Sequence, residues 1–335
     1  MQNILDDFAK TLDKRVTVFD VKVDSQTSDS LTLSGRVLHK SQLDELPRLF
    51  PTWRLDPASV HILHTGGNER VHVATNLTGL HESPTFRVPL LSELTFGAEL
   101  EVLEEQDKWV HVRQTDGYLG WAYRPYLSEG LAPASTHLVI APVIELRAEP
   151  NIVSGVITRV VSGTSLTVEE TRDGWSKVRA NRVGWVESQH LRALSDISQT
   201  VEEKRVTLES DSGRMIGVPY LWGGSSGNGI DCSGFAQLLH RWVGIEIPRD
   251  ADMQCDAANP VEAPYQLGDL FFFGEGEGRE ISHVGMSLGG AKMIHSSRSR
   301  NGVYVDDIEE VKFLKDIFVS AGSYLRERVR NPKLK

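Results

Sequence analysis

Gly229-Ile230-Asp231-Cys232-Ser233-Gly234-Phe235 is the stretch from which the rest of the chain can be read. It follows Pro219-Tyr220-Leu221-Trp222-Gly223-Gly224, a glycine-dense run with neither helical nor strand periodicity. It leads into Phe235-Ala236-Gln237-Leu238-Leu239-His240-Arg241-Trp242, whose apolar spacing is that of a helix. Cys232 therefore stands where a loop becomes a helix. There the first N–H groups lack internal partners and the helix dipole is positive. Both favour a thiolate, so the position predicts a lowered cysteine pKa and a nucleophile at neutral pH. A cysteine so placed is otherwise a small buried hydrophobe or half of a disulfide. The histidine-bearing segments downstream weigh between these readings.

The chain has 335 residues, enough for two or three domains with sizeable cores. Its 40% hydrophobic and 24% charged content is that of a globular protein and not of a disordered one. A net charge of −10 disfavours nonspecific nucleic-acid binding, which needs a basic surface. No apolar run has the length of a membrane span, and Leu270-Phe271-Phe272-Phe273 is far too short. Neither nucleic acid nor membrane is expected as a partner. The first residues, Met1-Gln2-Asn3-Ile4-Leu5-Asp6-Asp7-Phe8, carry acids where a secretory signal carries bases, and lack its apolar core. Two cysteines do not make a disulfide framework. The expectation is a cytoplasmic protein with reduced thiols.

Residues 1–78 read as a small α+β unit of unassigned role. The segments 16–23 and 31–37 are strand-like, Ser41 is a candidate N-cap of a short helix, and 71–74 is a candidate strand to close the sheet. An internal repeat follows. Residues 100–113 align with 166–179 at a constant offset, pairing Leu100 with Leu166, Asp107 with Asp173, Trp109 with Trp175 and Val112 with Val178. After a two-residue gap Gly120-Trp121 matches Gly184-Trp185, and Leu127 matches Leu191. Each copy has short alternating strands between turn residues, so two copies of one small β-barrel are expected. The pattern resembles bacterial SH3 (SH3b) domains, with copies at 79–130 and 135–195 joined by Leu131-Ala132-Pro133-Ala134-Ser135. The four tryptophans, recurring in register, read as core. The copies differ at Asp116-Gly117-Tyr118-Leu119, which has no counterpart to Tyr118 in Asn181-Arg182-Val183. That difference points to a specific role for the first copy, with a partly buried loop tyrosine as the alternative.

Residues 196–215 read as a helix with Val201, Val206, Leu208 and Met215 as apolar positions. The part from about 200 to 330 is α+β. It has the Cys232 helix, a second helix starting near Asp250, and a buried strand at 269–273. Two strands, 282–288 and 291–296, turn at Gly289-Gly290, and a last strand lies within 318–325. A thiol peptidase needs a thiol, a base in reach of it, and a group that orients the base. His283 and His295 lie on the two strands of that predicted hairpin, so the turn brings them near one another, with the register left open. In this arrangement His295 holds His283 in one tautomer, and imidazolium His283 pairs with thiolate Cys232.

Pro219-Tyr220-x-Trp222-Gly223-Gly224, Asp231-Cys232-Ser233-Gly234-Phe235, Gly268-Asp269-Leu270-Phe271-Phe272-Phe273, His283-Val284-Gly285-Met286 and His295 together resemble the NlpC/p60 papain-like cell-wall peptidases, in that family's order. With two SH3b modules ahead of it, the chain is similar to γ-D-glutamyl-L-diamino acid endopeptidases. The resemblance implies a papain-like peptidase domain in an α+β multidomain chain. It implies Cys232 as nucleophile, His283 as base and His295 as its orienter. Tyr220 and the Cys232 N–H would hold the oxyanion, and Ser233 and Asp250 would line the groove. The substrate it implies is a murein peptide with a free N-terminal L-Ala, cut between D-Glu and a diamino acid, commonly meso-diaminopimelate. The relatives' aspartate is often followed by serine, where this chain has Ala251. Asp250, Glu82 and Tyr118 are the expected acceptors for the substrate ammonium. No metal or cofactor is expected: His61 and His64 have no further ligands beside them, and 223–229 lacks the Lys-Ser/Thr of a phosphate loop. Cys255 reads as structural. The alternative reading is an SH3b-tethered wall autolysin, or an inactive wall-binding relative.

Overall fold

The computed structural model describes residues 1–276 and 278–325. They form two compact units. One holds 1–72, 82–86 and 99–131; the other holds 73–81, 87–98 and the described residues from 132 on.

In the first unit, strands Phe19–Gln26, Ser30–Val37 and Arg54–Ile62 make one sheet, the first pair antiparallel and the second parallel. Helices Gln2–Lys10 and Lys40–Leu49 supply Leu5 and Leu46 to a core with Val21, Leu31, Leu33 and Phe50. The second helix is capped by His39 and not by Ser41. His39 is extended and its N–H donates to the Gln42 side chain, while Ser41 lies two residues further on, inside the helix. Strand Arg54–Ile62 was not expected, because Pro57 and Asp56 break its pattern. Strand Arg70–Val73 does not close this sheet. It pairs with Glu99–Gln106 of the first repeat, so the barrel begins before residue 79. Glu99–Gln106, Trp109–Gln114 and Leu119–Tyr123 then pair in succession.

In the second unit the second repeat forms a barrel sheet. Its strand order is Val156–Val161, Val143–Arg147, Val183–Glu187, Trp175–Arg179, Ser165–Arg172, His137–Val139, Leu191–Ala193. The two turn aspartates of the repeat, Asp107 and Asp173, both adopt left-handed backbone, with φ of 54° and 49°. The tryptophans divide. Trp109 and Trp185 are buried, while Trp121 and Trp175 are only half-buried. Trp121 stacks on His111 and Trp185 lies under the Arg172 guanidinium. A hairpin of the first repeat, Leu77–His81 with Leu90–Thr95, also belongs to this unit. Just beyond it, Phe96 enters the core of the second barrel beside Val139, Ile144 and Val178.

The remaining residues place helix Cys232–Trp242 on a six-stranded sheet. Its order is Asn259–Pro260, Phe318–Ser323, Leu270–Glu275, Glu280–Ser287, Lys292–Ser297, Gly302–Asp307. The unbroken run Leu270 to Phe273 is covered on both faces, as such runs must be. Leu270 and Phe272 meet Phe235, Leu239 and Trp242, while Phe271 and Phe273 meet Met293, Ile308 and Leu314. The expected helix over 196–215 is shorter. It spans Val201–Asp211 behind a Thr200 cap, then tightens to a 3-10 turn over Ser212–Met215. Leu208 and Met215 are buried as read, but Val206 is 65% exposed.

That contrast is measurable. Leu208→Ala should cost about 2–5 kcal/mol by denaturant unfolding. Val206→Ala, one turn face away, should change stability by no more than about 0.5 kcal/mol. Equal losses would mean that the helix packs by another face.

Candidate active site

Asp231 builds the nucleophile's end of the site. Its carboxylate caps helix Cys232–Trp242, with Oδ1 accepting from Gly234 N–H at 2.7 Å and Oδ2 from Gly223 N–H at 2.9 Å. Both oxygens also accept from the Arg249 guanidinium, at 3.1 and 2.7 Å. Gly234 is glycine because a Cβ there would run into the Gly224 carbonyl. Arg249 is 2% exposed and donates further to Ser233 Oγ at 2.9 Å and Ser92 Oγ at 3.1 Å. Ser92 lies in the first repeat's hairpin. Its neighbour Glu93 accepts the Ser225 N–H at 2.9 Å, and burial raises the Glu93 carboxyl above the usual range. The hairpin is thus bonded to the glycine loop that precedes Cys232.

The sheet supplies the histidines. Met286 pairs with Ile294 and Ser287 with Met293, a register that sets Gly285 against His295 and His283 one pleat further along. A Cβ on Gly285 would lie 3.1 Å from His295 Cβ, so the glycine makes room for that ring. His283 Nε2 is 2.7 Å from His295 Nδ1, and His295 Nε2 is 2.9 Å from Asp306 Oδ2. The N–H of Val284, the residue after His283, donates to the Cys232 sulfur, as does that of Ser233. Helix start and histidine strand therefore meet at the thiol. Tyr220 bridges to Ile230 on the loop before it. Its hydroxyl pKa is raised by burial, then by neighbouring Cys232 and Asp231.

The expected depression of the Cys232 pKa is reversed. Burial and the adjoining Asp231 charge push the thiol up to about 12, against smaller opposing pulls from two N–H groups and Arg249. Burial and His295 push His283 down to about 3. Out of water, a neutral thiol and a neutral imidazole are favoured over the ion pair.

His283 and His295 are hydrogen-bonded to one another, and the strand that carries His283 reaches the Cys232 sulfur through the Val284 N–H. Asp250 is the N-cap residue of helix Ala251–Ala257. Ser233 is buried, with its hydroxyl committed to Arg249 and Asp231 and not turned to an open groove. Tyr118 and Glu82 belong to the first unit. Tyr118 is 3% exposed, in the loop before strand Leu119–Tyr123, and Glu82 is exposed just after strand Leu77–His81. Cys255 is half-buried with Sγ 3.5 Å from Ser320 Oγ. His64 Nδ1 contacts Glu101 at 2.6 Å. Among the described residues no group of three or more His, Cys, Asp or Glu is arranged to hold a metal ion. Arg249 and Asp306 escaped the sequence reading. Arg249 precedes Asp250 in Pro248-Arg249-Asp250 with no local sign of burial. Asp306 is identified only by the pairing of strand Gly302–Asp307 with Lys292–Ser297.

A thiol at a helix start, backed by an imidazole pair on an antiparallel sheet, is the apparatus of a cysteine peptidase. The NlpC/P60 family model matches residues 217–321, and the bacterial SH3 domain model matches 76–128 and 142–192. A gamma-D-glutamyl-L-lysine dipeptidyl-peptidase of Bacillus subtilis (strain 168) is 30% identical over 241 residues, spanning 68% of this chain and 78% of that one. A protein of the same name from Bacillus cereus is 28% identical over 257 residues, 70% of this chain and 75% of that one. The crystal structure of a NlpC/P60 family protein from Bacillus cereus ATCC 10987 superposes with a TM-score of 0.66 at 22% identity, over 77% of this chain and all of that one. The protein belongs to the NlpC/P60 family of peptidases.

Two predictions follow from the buried charges. Arg249→Met leaves the Asp231 carboxylate without its counter-ion and should cost about 3–5 kcal/mol in urea unfolding, part of it recovered in Asp231→Asn/Arg249→Met. An unchanged midpoint in the single variant would show that the N–H caps suffice. His283 and His240 are held neutral, with values near 3 and 4 against an ordinary 6.5. Below pH 6.5 the unfolded chain therefore binds more protons than the folded one. Stability should be full above that pH and fall as the pH drops toward 4. The urea midpoint against pH should slope less in His283→Asn; identical slopes would count against a buried neutral imidazole.

Proposed function

We propose that the protein hydrolyses the bond between γ-D-glutamate and an L-diamino acid, meso-diaminopimelate, in soluble murein peptides that carry a free N-terminal L-Ala. The setting we propose is cytoplasmic recycling of cell-wall peptides. The observation that carries this reading is the Cys232–His283–His295 line in a chain whose likeness to dipeptidyl-peptidases runs through barrels and peptidase domain together. A dipeptidyl-peptidase removes two residues from an amino terminus, which is L-Ala-γ-D-Glu in the substrate proposed. Those relatives are named for lysine as the diamino acid, so lysine and diaminopimelate peptides are both to be compared.

In the reaction, Cys232 sulfur attacks the γ-carbonyl carbon while its proton passes to His283. The oxyanion is held by the Cys232 N–H and the Tyr220 hydroxyl. Collapse expels the diamino acid's amine, which takes the proton from His283 and leaves a thioester. Water, deprotonated by His283, then releases the glutamyl carboxylate and restores the thiol. Asp250 is assigned the substrate ammonium, with Ala251 offering no hydroxyl beside it. Support for a part played by the first repeat is its hairpin, bonded through Glu93 to Ser225 in the loop before Cys232 and through Ser92 to Arg249.

The test compares L-Ala-γ-D-Glu-diaminopimelate with its N-acetylated form and with stems still attached to sacculi. The free peptide should be cut by the wild type and by Cys255→Ala, but not by a folded Cys232→Ala. Acetylation should lower kcat/KM roughly 10–150-fold through loss of a charge-assisted contact. Asp250→Asn should narrow that discrimination. If acetylated peptide and sacculi are cut as readily as the free peptide, a wall-tethered autolysin is the better reading.

A further inference from the structure

His283 needs a lone pair on the nitrogen that takes the Cys232 proton. Its Nε2 is occupied by His295, so that nitrogen is Nδ1. A neutral imidazole has one N–H and one lone pair. His283 must therefore carry its hydrogen on Nε2 and donate it to His295 Nδ1. His295 can accept there only if its own hydrogen sits on Nε2, which requires an acceptor beyond. Asp306 Oδ2 is that acceptor, at 2.9 Å, with the Asp306 side chain 9% exposed and His295 2% exposed. The other oxygen, Oδ1, is in an ion pair with Arg300, 3.0 Å from its Nη1. Arg300 is half in solvent, with its guanidinium 5.7 Å from the centre of the Tyr304 ring.

We infer that Asp306 is a positioning residue that sets the tautomers of both histidines, and that Arg300 fixes which way a residue at 306 faces. The inference rests on the peptidase reading for its kinetic consequence, though not for its structural one. The charged and titratable groups around the relay are His283, Asp306 and Arg300 about His295, and Asp231 and Arg249 about Cys232. Among the described residues only Asp306 presents a carboxylate to the relay's far end. Arginine has donors alone. In Asp306→Asn the amide oxygen is therefore drawn to Arg300 and the amide NH2 is turned onto His295 Nε2. That reverses every bond in the line: His295 donates from Nδ1, His283 accepts at Nε2, and the hydrogen moves to His283 Nδ1, where a base is required.

A specific pattern is expected. Asp306→Asn should lose roughly 100-fold or more in kcat with KM within about threefold, since the defect is in proton transfer and not in binding. Asp306→Ala, which imposes no orientation, should lose less. Adding Arg300→Met to Asp306→Asn frees the amide to flip and should return at least tenfold of kcat. A merely structural carboxylate would give no such rescue. Two readouts need no substrate. Imidazole nitrogen-15 shifts should report Nε2–H on His283 and His295 in the wild type and Nδ1–H in Asp306→Asn. Alkylation of Cys232 by iodoacetamide, followed by mass spectrometry against pH, should slow in Asp306→Asn and recover in the double variant. Unchanged tautomers, or no rescue by Arg300→Met in a folded Asp306→Asn protein, would overturn the inference. Wild-type protein with the expected tautomers but no hydrolysis of any murein peptide would leave it standing and remove the proposed substrate instead.

Discussion

The Asp231 carboxylate is the point on which the site depends. One side chain ends the glycine loop by taking the Gly223 N–H, starts the Cys232 helix by taking the Gly234 N–H, and neutralises Arg249. A buried carboxylate is tolerable only when its lone pairs are filled, and here five donors from three segments fill them. The same bonds fix the backbone on both sides of the thiol. Arg249 carries the constraint outward to Ser92, so the first repeat's hairpin and the peptidase loop are parts of one hydrogen-bonded arrangement.

That anchoring has an electrostatic consequence. The carboxylate that positions Cys232 also opposes its ionisation, and burial opposes it more. The helix start does not produce a resting thiolate. In the reaction proposed above, reactivity is left to proton transfer at the moment of attack, and so to the imidazole pair on the sheet. Gly285 makes room for His295, and Asp306 lies at the relay's far end. Helix and sheet contribute separately: the helix places the sulfur, and the sheet carries the histidines that take its proton in the proposed reaction.

The repeat shows how two similar sequences diverge by use. Corresponding strands recur at Glu99–Gln106 and Ser165–Arg172, and again at Trp109–Gln114 and Trp175–Arg179. Even the left-handed turn aspartates correspond. The tryptophans do not keep equivalent burial, because register within a barrel sets which face a residue takes while neighbours set how well that face is covered. The second copy keeps a closed core that accepts Phe96 from the first repeat's hairpin. The first lends that hairpin to the loop before Cys232, through Glu93, and to Arg249, through Ser92.

What the sequence determined by itself was whatever depends on short-range chemistry. The run from Gly229 to Trp242 announces a helix with a thiol at its start. The Trp109/Trp175 offset announces a duplication, and Gly289-Gly290 announces the turn that brings His283 toward His295. Local signals also misled where partners lay elsewhere: Ser41 lost its cap to His39, strand Arg70–Val73 paired with a barrel, and Val206 faced outward. Only the tertiary structure decided the rest. The Arg249–Asp231 pair joins residues 18 apart, and the Asp306–His295 bond depends on a strand register that no local pattern specifies. The thiol's resting state turned on burial, which is set by every segment packed over Cys232 and not by the residues beside it. Hydrogen-bond partners and desolvation are properties of what meets in space, whereas caps, turns and periodicity are properties of neighbours along the chain.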